Sequence, residues 1–322
     1  MENKTLRIGS RGSELALWQA RWVARELQKH HPWLETTLEV IRTTGDRVLD
    51  SPLAAIGDKG LFTKEIEEAL RAGRIDIAVH SLKDLPTLVP AGLVIGAVCR
   101  REDVRDVFIP HPDNPVRTLK EQLYGALIAT GSLRRKCQLL ALRPDVTVVD
   151  LRGNLHTRMK KLEESTWQGI ILARAGVVRL GLDQAIGEVI PADVILPAVG
   201  QGALAIEMRE GDAEVAETLE GLADASTTFA TTAERALLRR LEGGCQVPIG
   251  AHGRLVERNG SIPELRLDAM VGSLDGKTIV RGRIHGQPEE ADDLGRKLAE
   301  TLLQGGAEQI LRSIRPASHE PA

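Results

Sequence analysis

Aromatic residues are scarce in this chain: three Phe, one Tyr and four Trp among 322 residues. The core must therefore be built from Leu, Val, Ile and Ala. Base stacking on single-stranded nucleic acid is excluded as a main mode of binding. Cysteine is scarce too, and three Cys without a CxxC pair give no reason to expect a disulfide framework or a zinc site. None of the eight His falls in an HExxH or similar ligand spacing, so no metal is expected. The net charge of −3 offers no global basic field for nucleic acid or an anionic membrane. No apolar run approaches the roughly 20 residues that span a bilayer. The opening MENKTLRIGS lacks the apolar stretch of a secretory leader. There is no GxxxxGK[ST], hence no P-loop. GQGALA at 200–205 fits GxGxxA, but its continuation reads as a strand where a dinucleotide site requires a helix. What remains is a soluble, cytoplasmic α/β protein.

The chain is 42% hydrophobic and long enough for two domains, or three smaller ones, without covalent staples. Its first two thirds alternate strand and helix signals. Leu6–Ile8 and 37–42 read as strands around a helix over 14–28, in which Leu15, Trp18 and Trp22 share a face. A helix over 61–72 ends at Gly73, and 75–79 is an apolar run typical of a buried parallel strand. Strands follow at 93–98, 127–130, 146–149 and 170–173, with helices starting near Ser132 and Asn154. Such alternation implies open, mostly parallel sheets covered on both faces. After residue 221 come a helix over 227–241, two strands joined through Asp275-Gly276, and a helix over 289–314 interrupted near Gly305-Gly306. That is a small α+β domain.

Three strand-to-helix junctions are built alike: Gly9 to Ser13, Thr130 to Arg135, and Leu151 to Asn154 with Arg158 one turn on. Each sets small or capping residues and arginine at a helix start, where free N–H groups favour anions. From 130 to 161, eight Lys and Arg face two Asp, a local charge of +6. These are either solvated surface or a cleft for a ligand with several carboxylates or phosphates. His80 to Pro86 follows the buried run 75–79, where Asp84 is either a general acid or base or a plain cap. Cys245 stands between Gly-Gly and Val-Pro, as a packed thiol or an accessible nucleophile or attachment point. Cys99 and Cys137 read as small core hydrophobes.

Together the stretches RGSELALWQA, GDKGLFTKEIE, DIAVHSLKDLPT, ATGSLRRKCQL, DLRGNLHTRM, ILARAGVVRLG, LPAVGQGALAIE and AERALLRRLEGGCQVPIGAH closely resemble the porphobilinogen deaminase family. The resemblance implies two domains like the halves of a periplasmic binding protein, with mixed, mostly parallel sheets. They would span 1–102 with 203–220, and 103–202; a small α+β C-terminal domain, 221–322, would carry the cofactor cysteine. It implies a transferase that condenses four porphobilinogens head to tail into hydroxymethylbilane, releasing ammonia. Its cofactor would be dipyrromethane, linked by a thioether to Cys245. Asp84 would be the catalytic carboxylate, stabilising the cation left when ammonia departs. Lys83, Ser132, Arg134, Arg135 and Lys59, with Asp84, would hold the cofactor. Arg11, Ser13, Arg152, Arg158, Arg179 and Gln201 would hold substrate. A chain of six rings carries about a dozen carboxylates, which accounts for the arginines. Porphobilinogen is the only partner expected, with no nucleic acid and no membrane, and the protein is expected to be a monomer.

One departure is visible: Ala55 stands where some family members carry lysine, and the stretch 45–60 reads as a mobile lid or a plain surface loop. Two other functions compete. One is a polycarboxylate receptor without catalysis. The other is a cysteine hydrolase pairing Cys245 with His80.

Overall fold

The computed structural model describes residues 5–47, 63–241, 247–257 and 263–314. It holds three sheets. The first has the order β2-β1-β3-β10-β4, from Thr5–Ser10 (β1), Glu35–Val40 (β2), Ile77–Ser81 (β3), Leu93–Val98 (β4) and Leu204–Arg209 (β10). The second has the order β7-β6-β8-β5-β9, from Asp106–Pro110 (β5), Leu127–Ala129 (β6), Thr147–Val149 (β7), Gly169–Ala173 (β8) and Glu188–Ile190 (β9). In each, one strand runs against the other four: β10 between β3 and β4, and β5 between β8 and β9. The mixed, mostly parallel α/β architecture is thus present twice.

Both faces of each sheet are covered, and this is why the strand sequences are nearly continuous in apolar residues. On the first sheet, Ala20, Val23 and Leu27 of the helix Glu14–His30 pack over Leu6, Ile8, Ile77 and Val79. The opposite face takes Ile66, Ala69 and Leu70 of the helix Lys64–Arg71 against Ile75 and Ala78. The second sheet buries Phe108, Ile128 and Ile171 on one face, with Leu139. It buries Val107, Ile109, Ile170 and Leu172 on the other, with Val177. The chain crosses between the sheets after β4 and again before β10.

The third sheet is the antiparallel meander β11 (Ile249–Val256), β12 (Glu264–Gly272) and β13 (Ile279–Gly286). The helices Ala225–Arg240 and Ala291–Leu302 close its core through Ala233, Leu237, Leu294 and Leu298. The expected break in the last helix is a π segment at Leu303–Ala307, where Gly306 adopts φ 105°. No helix is long and apolar enough to cross a membrane among the described residues.

Several elements differ from expectation. β3 begins two residues late and runs on through His80 and Ser81, so those two residues are strand and not loop. β5, β9 and β11 have no counterpart in the sequence reading. β5 ends in proline, β9 has three residues, and β11 carries two glycines and a histidine. Each is too short or too interrupted for a clear two-residue period.

Candidate active site

The three junctions form as their capping residues dictate. Ser13 accepts from the Ala16 N–H at 3.3 Å, Ser132 from the Arg135 N–H at 3.5 Å, and Asn154 from the Thr157 N–H at 2.9 Å. The second and third junctions abut, because Gly131 has no side chain: a Cβ there would lie 2.4 Å from the Leu151 carbonyl. The first reaches the end of β3 through Gln19, which donates to the Ser81 hydroxyl at 2.8 Å.

Beyond β3, Leu82–Asp84 make a single 3₁₀ turn. Buried Leu82 anchors it, Lys83 is half-buried, and Asp84 is exposed. Gly200, in the second crossover, lies so close that a Cβ would stand 2.9 Å from Leu82 Cγ; its φ of 71° suits glycine alone. Two of the junction arginines, Arg135 and Arg158, lie close enough to this turn to act on Lys83. Burial lowers the Lys83 pKa, as do the neighbouring Arg135 and Arg158, against an upward pull from Asp84 and Asp106. Arg158 is pushed down to about 10, by burial first and then by Arg135, while Asp84 pulls it upward. Its Nε donates to the Gly153 carbonyl at 2.8 Å. Arg152 pairs with Asp150 at 3.0 Å. Arg179 donates to the Gly202 carbonyl at 2.8 Å and lies over the Trp18 ring at 5.7 Å from its centre; burial lowers its pKa. Arg11 is half-buried in the loop after β1. The helices across the cleft touch where His156 meets Glu14.

Arg134, Arg135 and Gln201 meet internal partners around Asp106. Arg134 is buried and donates to Asp106 and to the Leu196 carbonyl, each at 2.7 Å. Arg135 donates to the other Asp106 oxygen at 2.8 Å, and Gln201 Nε2 to the same oxygen at 2.8 Å. The two guanidiniums hold the Asp106 carboxyl far below the usual carboxylate range despite its full burial. The Nε atoms of Arg134 and Arg135 and the Oε1 of Gln201 are buried and unpartnered.

Asp106 was not singled out from the sequence, and neither was Glu234. Fully buried Glu234 accepts a bidentate pair from Arg101 in the first crossover, at 2.6 and 3.1 Å. It also accepts from the N–H groups of Gly200 in the second crossover and Gly253 in β11, both at 2.7 Å. The available signal was an acid set in an apolar run, as in DVFI and AERALL. Cys245 and Lys59 lie outside the described residues, as does Ala55. Cys99 and Cys137 are buried, and burial raises their thiols to about 12 and about 11, as inert core residues require.

Residues 6–217 match the family model for the dipyrromethane cofactor binding domain of porphobilinogen deaminase, and 228–304 match the model for its C-terminal domain. The chain belongs to the porphobilinogen deaminase family. Porphobilinogen deaminases from Chlorobaculum tepidum and Chlorobium phaeobacteroides are 51% and 52% identical, each over 97% of this chain and 98% of its own length. That of Syntrophotalea carbinolica is 48% identical over 98% of this chain and 97% of its own. Among solved structures, the periplasmic aliphatic sulphonate binding protein of Escherichia coli covers 74% of this chain and 75% of its own at TM-score 0.38 and 15% identity. That likeness is too weak to bear on the fold, which rests on the strand orders above. Family membership makes the chain a transferase of porphyrin biosynthesis that works on a dipyrromethane cofactor.

Proposed function

We propose that the turn at 82–84 and the basic groups around it are where this deaminase builds hydroxymethylbilane from porphobilinogen, with Asp84 as the catalytic carboxylate. One observation carries the reading: a cluster of cations that lower one another's proton affinity, beside a carboxylate with no hydrogen-bond partner among the described residues. Positive charge crowded in this way is relieved by anions, and every pyrrole unit brings two carboxylates.

The donor set fits a dipyrromethane. Lys83 of the turn, with Ser132 and Arg135, would hold it, and the Nε atoms of Arg134 and Arg135 are buried donors without a partner. Lys59 would stand near the group, and Cys245 would carry it by a thioether. When bound, that group would supply the free pyrrole α-carbon to which the first ring is joined, each later ring joining the end of the one before it. Arg11, Ser13, Arg152, Arg158 and Arg179 would hold the acetate and propionate groups of substrate. Gln201, its amide already donated to Asp106 and the Val104 carbonyl, would contribute through its unpartnered Oε1.

Asp84 then acts on the substrate. As the aminomethyl C–N bond breaks, its electron pair leaves with ammonia and positive charge remains on the pyrrole. A carboxylate whose oxygens no protein group occupies accepts the ring N–H and stabilises that charge as it develops. The new C–C bond releases the α-proton, which the same carboxylate is placed to take. Lys83 and Arg158 would hold the side-chain acids, leaving Asp84 to the ring.

The chain would divide as 1–102 with 203–220, 103–202 and 221–322, and work as a cytoplasmic monomer without nucleic acid or membrane. Intact-mass spectrometry tests the reading. Wild type should carry an adduct of two pyrrole units that Cys245→Ser lacks; an unmodified, active wild type would overturn it.

A further inference from the structure

The helix Ala225–Arg240 buries Arg235, whose guanidinium donates to the Pro86 carbonyl at 2.7 Å and the Leu85 carbonyl at 3.4 Å. No carboxylate pairs with it among the described residues. Its neighbours in this respect are instructive. The other buried arginines among the described residues, Arg134 and Arg135, each meet the buried carboxylate of Asp106, and half-buried Arg101 meets that of Glu234. Arg235 instead meets Arg239, one turn on, and burial together with that like charge pushes it down to about 10. Arg158, which would hold substrate carboxylates in the function proposed above, is lowered in the same way by burial and a neighbouring arginine.

Arg235 faces a different space. A cavity of 370 Å³ lies between the helix and the edge strand β4, lined among others by Leu82, Ile95, Thr232, Arg235, Arg239 and Asp292. None of the arginines of the cleft lines it. Thr228 and Thr231 turn their hydroxyl protons back to helix carbonyls, and Asp292 is taken by Arg239 and Arg296. Arg239 spends one Nη2 bond on Asp292 at 2.6 Å, so the donors left toward the space are those of Arg235, the remaining N–H groups of Arg239 and the Thr232 hydroxyl. A buried charge with no counter-charge is costly, and an anion beside it removes the cost.

The geometry points to a second anion site: Arg235, Arg239 and the Thr232 hydroxyl bind a compact dianion, a phosphate or a pair of carboxylates, against the back of the 82–86 turn. Titration calorimetry on the cofactor-loaded enzyme tests it, with inorganic phosphate and with succinate as separate probes. Thr232→Val and Arg239→Gln leave the bonds from Arg235 to Leu85 and Pro86 in place. Arg239→Gln should weaken the preferred probe by about tenfold, the range of one charge-assisted hydrogen bond. Thr232→Val should weaken it by a smaller factor, and both should keep wild-type turnover of porphobilinogen. Arg158→Gln, in the cleft, should leave this binding intact. Phosphate as the stronger probe identifies a phosphoryl ligand, and succinate a dicarboxylate. Unchanged affinity for both probes in both cavity variants, or loss of all binding in Arg158→Gln, would overturn the proposal.

Discussion

Replacing Asp106 by Asn removes a single charge and changes almost no volume, yet the structure assigns it a large cost. Asp106 is fully buried and accepts from Arg134, Arg135 and Gln201 at 2.7, 2.8 and 2.8 Å. Asn keeps one acceptor and turns the other into an N–H group facing a guanidinium. Two adjacent arginines at one helix N-terminus are left buried without a counter-charge. Breaking a buried pair in this way costs about 3–5 kcal/mol. For a domain of about 100 residues that is roughly 12–40 °C in Tm. Differential scanning calorimetry of the cofactor-free forms gives the number without a contribution from ligand. The double variant Asp106→Asn with Arg134→Met removes one of the two stranded charges and should recover part of the loss. Because the folded carboxyl is depressed, its stabilisation is fully present above the unfolded pKa of about 3.9 and fades only as pH falls toward the folded value. The difference between wild type and Asp106→Asn should thus be constant from pH 5 to 8 and shrink in strong acid. A loss under about 1 kcal/mol at pH 7 would refute the reasoning.

Arg158→Gln keeps a donor but removes the charge at the mouth of the third junction, and should raise KM for porphobilinogen by roughly ten- to a hundredfold, the value of a charge-assisted pair. Steady-state kinetics checks this, and an unchanged KM counts against the cleft. Arg143 lies in sequence between the second and third junctions. In the structure it clamps the carbonyls of Leu119 and Gln122 at 2.7 and 3.0 Å and pairs with Asp145. Arg143→Ala should therefore lower Tm while leaving the KM of the surviving enzyme unchanged.

What was legible in the sequence was whatever is decided locally. Ser13, Ser132 and Asn154 announce helix starts because a cap needs only its own next turn, and all three cap as expected. The strand Leu93–Val98 was bounded to the residue. Arginine beside those caps is equally local, and it is what pointed to the junctions as places for an anion. Asp106 and Glu234 were not legible, since each is defined by partners 19 to 133 positions away. A single acid in an apolar run carries no sign of which arginine it will meet. For the same reason Arg134 and Arg135 looked equivalent in the sequence. Only the placement of β5 shows that both meet Asp106, Arg134 donating also to the Leu196 carbonyl and Arg135 to the Ile171 carbonyl, and that Arg135 lies beside Lys83.

The central claim is that Asp84 acts through its charge on a developing cation, and paired variants test it most directly. Asp84→Asn keeps size and hydrogen bonding and removes the charge; Asp84→Glu keeps the charge and displaces it by a methylene. Each ~1.4 kcal/mol of transition-state stabilisation lost is tenfold in rate. Ammonia release and tetrapyrrole formation are to be measured for both variants after mass spectrometry shows the cofactor still attached. The account predicts that Asn falls by several orders of magnitude and that Glu retains a small residual rate. If Asp84 were only a cap in a turn, Asn would serve nearly as well as Asp. Turnover by Asp84→Asn above that of Asp84→Glu would contradict the account.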